Sequence, residues 1–513
     1  MSWNRSYCFL VISFICLFNN YALSFFETGR YFNDATLRSV QFIDKNEGWA
    51  VGDQGVIWHT IDGGDYWERQ PSGSEASLRS VHFLNPNVGW AVGVEIQPGL
   101  GSVGVVLFTK DGGNKWSRVL ADTFPGLTSV AFSSLQNGFL VGECREGFGS
   151  GIFQTIDGGK SWTPVDGKGN GCWRSIGFTP NKVPFFCGDL GQLAMLLDGK
   201  IIPLKVSSEL KGDFRVLDFN EQECAVAGKG GVIYQSDSSS AFTSWNKPRT
   251  TVSTELLECM QIFCGVSSGE NRILAGYPGS IILKRDKNQV WNAVKVDNLA
   301  NLHAMAVVHE KKIIAVGEYG LVMKSQDAGE TWKVIQQGAK KSRVLLFSSK
   351  VPNSQPELAS LLGFEEGQIL RPSALGHADP NQQSDSIWDI RMDLAGRVSG
   401  STSSILIGNY PEKSLEEGDP LKLMSYWDSL HEGMAADKLV RELVLLIQTS
   451  RPDVVVYSEN LEDFSSCRSQ TIFHALLTAI ERAKSQDSRI LEESGLAKQD
   501  VKRSFIPETL NKS

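Results

Sequence analysis

An arginine recurs near the start of several short apolar segments that lie tens of residues apart. The four copies are Arg38, Arg79, Arg174 and Arg215, and the segments read LRSV, LRSV, WRSI and FRVL. A guanidinium pairs bidentately with carboxylates and phosphates, so such a set suits a carboxylate-rich or phosphate-bearing partner. The alternative is that each arginine bridges neighbouring repeats through local carboxylates or carbonyls, and the sequence leaves both open.

The corresponding places in the remaining repeats are predicted to hold Thr128, Glu258 and His303. Histidine can also donate hydrogen bonds to an anion. The candidate binding residues are therefore the four arginines and one histidine: Arg38, Arg79, Arg174, Arg215 and His303.

A second recurring feature is a turn of the form T-x-D-G-G-x-x-W. It begins at Thr60, Thr109, Thr155 and, as SQDAGETW, at Ser325. The aspartate can accept hydrogen bonds from backbone N–H groups of its own turn, and glycine supplies the positive φ of a tight hairpin. The pattern, known as the Asp-box or BNR repeat, favours a structural role for its aspartates, which are Asp62, Asp111, Asp157 and Asp327.

Residues that could bind a metal are scattered. The seven cysteines after residue 24 have irregular spacing without paired CxxC motifs, and His377, His431 and His474 stand apart. A zinc site needs several such ligands at defined spacing, so we expect no metal and no cofactor. Candidate disulfides are Cys259 with Cys264, or a pair among Cys144, Cys172 and Cys187.

The elements that must position the arginines are set by an internal repeat. Runs such as GWAVG end in a glycine, and successive glycines are 40 to 49 residues apart: Gly52, Gly93, Gly142, Gly188, Gly228, Gly276 and Gly317. Each unit has room for four short strands, the size of a propeller blade. We therefore predict a seven-bladed β-propeller over residues 25–340, whose innermost first strands bring the arginines to one mouth of the central channel.

These repeats resemble the photosystem II stability/assembly factor family of BNR-repeat proteins over about residues 36–337. The resemblance implies a non-enzymatic propeller that carries arginines on one face and assists the assembly of membrane protein complexes on the far side of a membrane. Asp-boxes also occur in sialidases and some endoglucanases. The chain lacks the FRIP-type sequence of sialidases, so a carbohydrate-active hydrolase is kept as the alternative.

After Gln337 the pattern changes to strands that alternate with helices. RVLLFSS and RPDVVVYSE read as buried strands, and DKLVRELVLLIQ and QTIFHALLTAIERAKS read as amphipathic helices. This order predicts a smaller α/β, Rossmann-like domain over residues 341–490, followed by a polar tail over 491–513.

The α/β order resembles the LmbE/PIG-L family of zinc-dependent N-acetyl-sugar deacetylases over about residues 342–486. Where that family has its His and Asp ligands, this sequence has Lys350-Val351-Pro352-Asn353, and where a later histidine should stand it has Ser465-Ser466-Cys467-Arg468. Lysine, proline and asparagine cannot form a zinc site. The resemblance therefore implies a non-catalytic relative, with a deacetylase as the alternative.

Composition and the first residues bear on location and partners. The 513-residue chain carries a net charge of -8, which argues against nucleic acid as the main partner. Arg5, the short apolar run 8–18 and Ala22-Leu23-Ser24 have the pattern of a cleaved signal peptide, residues 1–24. We expect an exported scaffold of the periplasm or cell envelope, or a secreted one, without stable membrane insertion after cleavage. Its expected partners are proteins, including subunits of membrane complexes.

Overall fold

The computed structural model describes most of the chain between residues 32 and 505. The described ranges are 32–97, 101–119, 124–144, 147–167, 171–204, 212–338, 343–349, 370–376, 392, 404–411, 419–457, 466–484, 493–497, 499 and 501–505. The predicted signal peptide and the stretch 350–353 lie outside the described residues.

The first part of the chain forms antiparallel sheets that follow one another along the sequence, each sheet being one blade. The strands of blades 1 to 4, four per blade, are β1 (Leu37–Phe42), β2 (Gly48–Gly52), β3 (Ile57–Thr60), β4 (Glu68–Gln70); β5 (Ser77–Phe83), β6 (Gly89–Gln97), β7 (Gly101–Thr109), β8 (Ser117–Arg118); β9 (Leu127–Phe132), β10 (Gly138–Gly142), β11 (Ile152–Thr155), β12 (Thr163–Pro164); and β13 (Trp173–Phe178), β14 (Pro184–Gly188), β15 (Leu193–Leu197), β16 (Lys200–Pro203).

Blades 5 and 6 are less regular, and blade 7 returns to four strands. Blade 5 has three strands, and blade 6 gains a short parallel strand, β20, and a helix, α1, before its first strand. Their elements are β17 (Phe214–Phe219), β18 (Glu223–Gly228), β19 (Ile233–Asp237); β20 (Arg249–Thr250), α1 (Thr254–Cys259), β21 (Gln261–Ser268), β22 (Asn271–Tyr277), β23 (Ile281–Arg285), β24 (Val290–Lys295); and β25 (Leu302–His309), β26 (Lys312–Gly317), β27 (Val322–Ser325), β28 (Lys333–Gln336).

The blades close into a ring through their first strands. Each first strand contacts the first strand of the next blade, and β25 of blade 7 contacts β1 of blade 1. Apolar side chains fill the space between blades: Trp49 stacks on Phe83 of the next blade at 3.6 Å between ring centroids, and Trp90 stacks on Phe132 at 3.7 Å. The predicted seven-bladed propeller is confirmed.

The repeat glycine of each blade has a packing reason. A Cβ atom at any of these positions would lie 1.8 to 2.4 Å from a backbone carbonyl oxygen at the start of the first strand. Only glycine allows such a close approach of two strands. The seven positions are Gly52, Gly93, Gly142, Gly188, Gly228, Gly276 and Gly317.

The second unit is a parallel sheet of five strands with helices packed on it. Counted from its first strand, the strand order is 3-2-1-4-5, as in doubly wound α/β folds. Its elements are β29 (Val344–Ser348), β30 (Leu370–Gly376), β31 (Ile405–Asn409), α2 (Pro420–Leu430), α3 (Ala435–Ser450), β32 (Val454–Tyr457), α4 (Cys467–Ala483) and β33 (Arg503–Phe505).

The strands and helices predicted in this unit are present as β29, α3, β32 and α4. One segment assigned to the polar tail differs, because β33 pairs with β32 in the sheet. Burial explains the difference: Val501 is buried beside the strand, and a three-residue strand shows little pattern in the sequence. The likeness to LmbE/PIG-L deacetylases stays a prediction.

The two units share one hydrophobic core. Leu256 and Trp291 of blade 6 belong to the same buried cluster as Trp427, Leu443 and Leu446 of the second unit. The helical unit therefore packs directly on the side of the propeller where the repeats are least regular.

Two further findings concern cysteines and membranes. All seven cysteines after residue 24 are free thiols, so the predicted disulfides are wrong; most of these thiols are buried and behave as small apolar side chains. Within the described ranges, the structure contains no helix with the length and apolar character needed to cross a bilayer.

Candidate binding site at the channel mouth

Every blade has a β-bulge near the start of its first strand. The register with the second strand skips one residue there, for example Arg38 between Leu37 and Ser39. A bulge re-aims its extra side chain, and bulges are common at barrel rims and functional sites. The seven bulge residues are Arg38, Arg79, Thr128, Arg174, Arg215, Phe263 and His303.

All seven bulge residues line one cavity at the channel mouth. Its volume is about 160 Å³. The structure therefore brings together the five candidate binding residues of the sequence analysis, namely Arg38, Arg79, Arg174, Arg215 and His303. We call this set of seven side chains the mouth ring.

The prediction for blade 6 is wrong. Glu258 lies on α1, with its carboxylate 3.7 Å from the Arg441 guanidinium, and Phe263 takes its expected place in the mouth ring. The inserted helix delays the first strand of this blade, so local similarity to the LRSV segments is lost. A count of 13 or 14 residues back from each repeat glycine would have found all seven positions.

Two arginines of the mouth ring pair with a carboxylate of their own blade. Arg38 binds both oxygens of Asp53 at 2.8 Å, and Arg174 binds Asp189 at 2.7 and 3.4 Å. Both carboxylates follow the repeat glycine directly. Asp189 is fully buried; burial raises the pKa of its carboxyl, and the adjacent Arg174 opposes that rise. These two pairs stabilise the hairpin between first and second strands.

The other two arginines have different neighbours in the repeat. In blade 2 the residue after the repeat glycine is Val94, where blade 1 has Asp53. Arg215 of blade 5 lies over the ring of Phe263, 5.2 Å from its centroid. His303 stacks on the same phenylalanine at 5.2 Å between ring centroids. One side of the mouth ring is thus built around an aromatic group.

In blade 7, the guanidinium that pairs with the carboxylate after the repeat glycine comes from the second unit. Its bulge residue is His303, and the carboxylate after the repeat glycine is Glu318. Arg371 of β30 reaches both oxygens of that carboxylate, at 3.2 and 3.3 Å, with the two side chains only 1% and 2% exposed. Glu318 also accepts hydrogen bonds from the backbone and side chain of Asn301.

The second unit also forms part of the cavity wall. Ser404, Ile405 and Leu406, at the start of β31, line the cavity opposite the propeller side chains. Gln261 donates a hydrogen bond of 2.9 Å from Nε2 to the Leu406 carbonyl oxygen. Sequence reasoning missed this wall, because nothing in the local pattern of residues 404–406 points to the propeller.

The Asp-box aspartates lie in the turns after the third strands, away from the mouth ring. Asp62 accepts hydrogen bonds from the N–H groups of Asp65 and Tyr66 at 2.9 and 3.0 Å, and from the Thr60 hydroxyl at 2.8 Å. The same pattern recurs at Asp111, Asp157 and Asp327. Hydrogen bonds to the ionised form lower the pKa of these carboxyls, to about 2 for Asp157.

The carboxyl edge of the parallel sheet is the usual ligand position in doubly wound folds. Here the buried guanidinium of Arg468, from α4, donates to the carbonyl oxygens of Ser349 and Tyr410 at 2.7 and 2.8 Å. It ties the ends of two strands together. In the part of the chain that the structure describes, no group of three or more His, Cys, Asp or Glu side chains could hold a metal ion.

Comparison with known proteins gives one family match. Residues 23–129 match the family model of photosynthesis system II assembly factor YCF48. The match covers blades 1 and 2 and the start of blade 3, which include Arg38 and Arg79. No curated protein sequence matches the chain significantly.

Three solved structures are each similar to a little over half of the chain. A structure described as YCF48 bound to D1 peptide has 21% identity and a TM-score of 0.45, covering 57% of this chain and 93% of its own. YCF48 from Cyanidioschyzon merolae has 19% identity and a TM-score of 0.44, with coverages of 57% and 95%. The WD40 propeller domain of Doa1 has 14% identity and a TM-score of 0.44, with coverages of 58% and 95%. The propeller assignment itself rests on the strand order.

Proposed function

We propose that this chain is an exported, non-enzymatic scaffold that binds a protein partner at the mouth ring and assists the assembly of a membrane or envelope complex. The observation that carries the proposal is the convergence of four guanidinium groups on one cavity. The family match over residues 23–129 supports the assembly role. A ring of guanidinium groups recognises carboxylates by charge and by its fork geometry.

The arginines differ in what their substitution would test. Arg174 pairs with the fully buried Asp189, so its removal would take a guanidinium away from a buried carboxylate and would test folding. Arg79 and Arg215, which also line the cavity, are the positions substituted in the binding test. Arg118 is a matched control on the outer strand of blade 2, where it is 40% exposed and pairs with Glu95.

The test is affinity capture with chemical cross-linking from membranes of the native host. Wild-type protein and Arg118→Ala should retain the same partner, and the double variant Arg79→Ala/Arg215→Ala should lose it. Increasing salt should weaken capture by the wild type, because exposed charge interactions are screened. Equal capture by the double variant would contradict the proposal.

Export is part of the proposal and has its own test. We expect cell fractionation to place the protein outside the cytoplasm and N-terminal sequencing of the mature protein to begin after Ser24. A cytoplasmic protein that retains Arg5 would contradict export and leave the binding site at the mouth ring unaffected.

A further inference from the structure

We infer that the second unit turns the propeller mouth into a walled cavity that admits one extended acidic segment of a polypeptide and keeps folded surfaces out. This inference rests on the proposed function and names the form of the partner. It also assigns the second unit a role in selectivity that does not require chemistry.

The wall is held firmly in place. The Arg371–Glu318 pair is buried, Gln261 binds the Leu406 carbonyl oxygen, and the two units share a continuous apolar core. At the far side of blade 6, Ser253 donates its hydroxyl and its backbone N–H to the Glu493 carboxylate at 2.5 and 3.2 Å. An apolar interface closed by buried polar contacts behaves as one rigid body.

The polar contacts named above are on blades 6 and 7 and on the segment before blade 6, and the shared apolar core also includes Val216, Ala227 and Ile233 of blade 5. The side of the mouth ring built by blades 1 to 4 lies opposite them and carries Arg38, Arg79, Thr128 and Arg174. Among the described residues, the side over blades 1 to 4 carries none of these attachments, so we infer that a partner segment approaches there, between these side chains and the start of β31.

The size and charge of the cavity set the ligand class. About 160 Å³ is smaller than ordinary small-molecule pockets, so it is room for a side chain or chain end and not for a folded surface. Among the described residues that line it there are four arginines and no carboxylate, since Asp53 and Asp189 lie behind their arginines. A carboxylate at the end of a slender side chain or at a chain terminus fits both the volume and the positive charge of the cavity.

Ser404 offers a matched pair of substitutions on the wall. Ser404→Asp adds a negative charge that faces the cavity, and Ser404→Asn adds nearly the same volume without the charge. The probe is a fluorescein-labelled hexaglutamate peptide with a free carboxyl terminus, and the readout is fluorescence anisotropy on the full-length protein. A folded acidic protein without an extended tail serves as the second probe.

We expect the peptide to bind the wild type and Ser404→Asn with similar affinity, and Ser404→Asp at least about tenfold more weakly. The folded probe should not bind. Equal binding by Ser404→Asp and Ser404→Asn, binding of the folded probe, or no binding of the peptide to the wild type would each overturn the inference. If Arg79→Ala/Arg215→Ala loses the peptide and the Ser404 pair does not differ, only this inference fails and the proposed function stands.

Discussion

Blades 1 and 7 occupy equivalent places in the ring, but the carboxylate after the repeat glycine pairs with a different cation in each. In blade 1 the carboxylate after the repeat glycine, Asp53, pairs with Arg38 of its own first strand. In blade 7 the first strand offers His303, and Glu318 pairs with Arg371 from the second unit. A buried carboxylate needs a cation, so loss of the arginine within a blade creates a docking point for another part of the chain.

The same contrast holds for the two sides of the ring. Blades 1 to 3 keep regular Asp-boxes and four-stranded sheets, whereas blades 5 and 6 lose the motif and pack against the second unit. Irregular repeats here are sites where the propeller has been adapted to a neighbour. The predictions below test that view, in order of expected effect.

The largest effect should follow from Arg371→Leu. It leaves Glu318 buried without its guanidinium, which typically lowers the free energy of unfolding by about 3–5 kcal/mol. Urea denaturation followed by tryptophan fluorescence would measure this change. The surface variant Arg482→Leu, 55% exposed in the same unit, is the control.

Adding Glu318→Gln to Arg371→Leu should recover part of the lost stability, since the uncompensated charge is then gone. If Arg371→Leu behaves like Arg482→Leu, the pair does not hold the two units together and the comparison of blades 1 and 7 fails.

The next effect concerns a carboxylate buried between the units. Glu442 on α3 is fully buried; burial raises the pKa of its carboxyl to about 7, against the opposing charges of Lys438 and Lys229 and the influence of Tyr410 and Arg441. The folded state holds the proton more tightly than the unfolded state does. Stability should therefore fall as pH rises from 4.5 to 7, by about 3 kcal/mol.

Glu442→Gln removes this titration, so the variant should be more stable than the wild type at pH 8 and should show a flatter dependence on pH. The exposed Glu481→Gln, on α4, is the control. Parallel pH profiles of wild type and Glu442→Gln, measured by urea denaturation from pH 5 to 8, would contradict this account.

The smallest effect is expected in blade 1. Arg38→Leu removes a guanidinium that pairs with Asp53, but both side chains retain 11–13% exposure and the Ser77 hydroxyl still donates to the carboxylate. We expect a loss of about 2 kcal/mol in the free energy of unfolding, smaller than for Arg371→Leu. A loss equal to or larger than that of Arg371→Leu would show that the two pairs do not differ in the way that their burial indicates.

Much of the propeller could be predicted from local patterns. The repeat glycines mark a close backbone approach in every blade, and the Asp-box turns are closed by residues a few positions apart, so both leave a signal in the sequence. The four arginines of the mouth ring could be found because each stands at the same place in its repeat. Phe263 was missed because α1 shifts the first strand of blade 6 relative to the repeat.

The contribution of the second unit to the cavity at the channel mouth could not be predicted from the sequence. Arg371 and Glu318 are 53 residues apart, and Gln261 and Leu406 are 145 apart, so each contact depends on how two folded units pack. Hydrophobic periodicity indicates which face of α3 is buried but not what it packs against. The part of the cavity wall that the second unit forms can therefore be found only from the folded structure.

The central claim is that the partner enters the mouth ring. The most direct measurement replaces Phe263 by the photo-cross-linker p-benzoylphenylalanine, which keeps an aromatic ring in the cavity, and compares it with the same replacement of Tyr66, 70% exposed on the Asp-box turn of blade 1. After irradiation in the native host, we predict a cross-linked partner from position 263 and none from position 66. A partner cross-linked from position 66 and not from 263 would contradict the account.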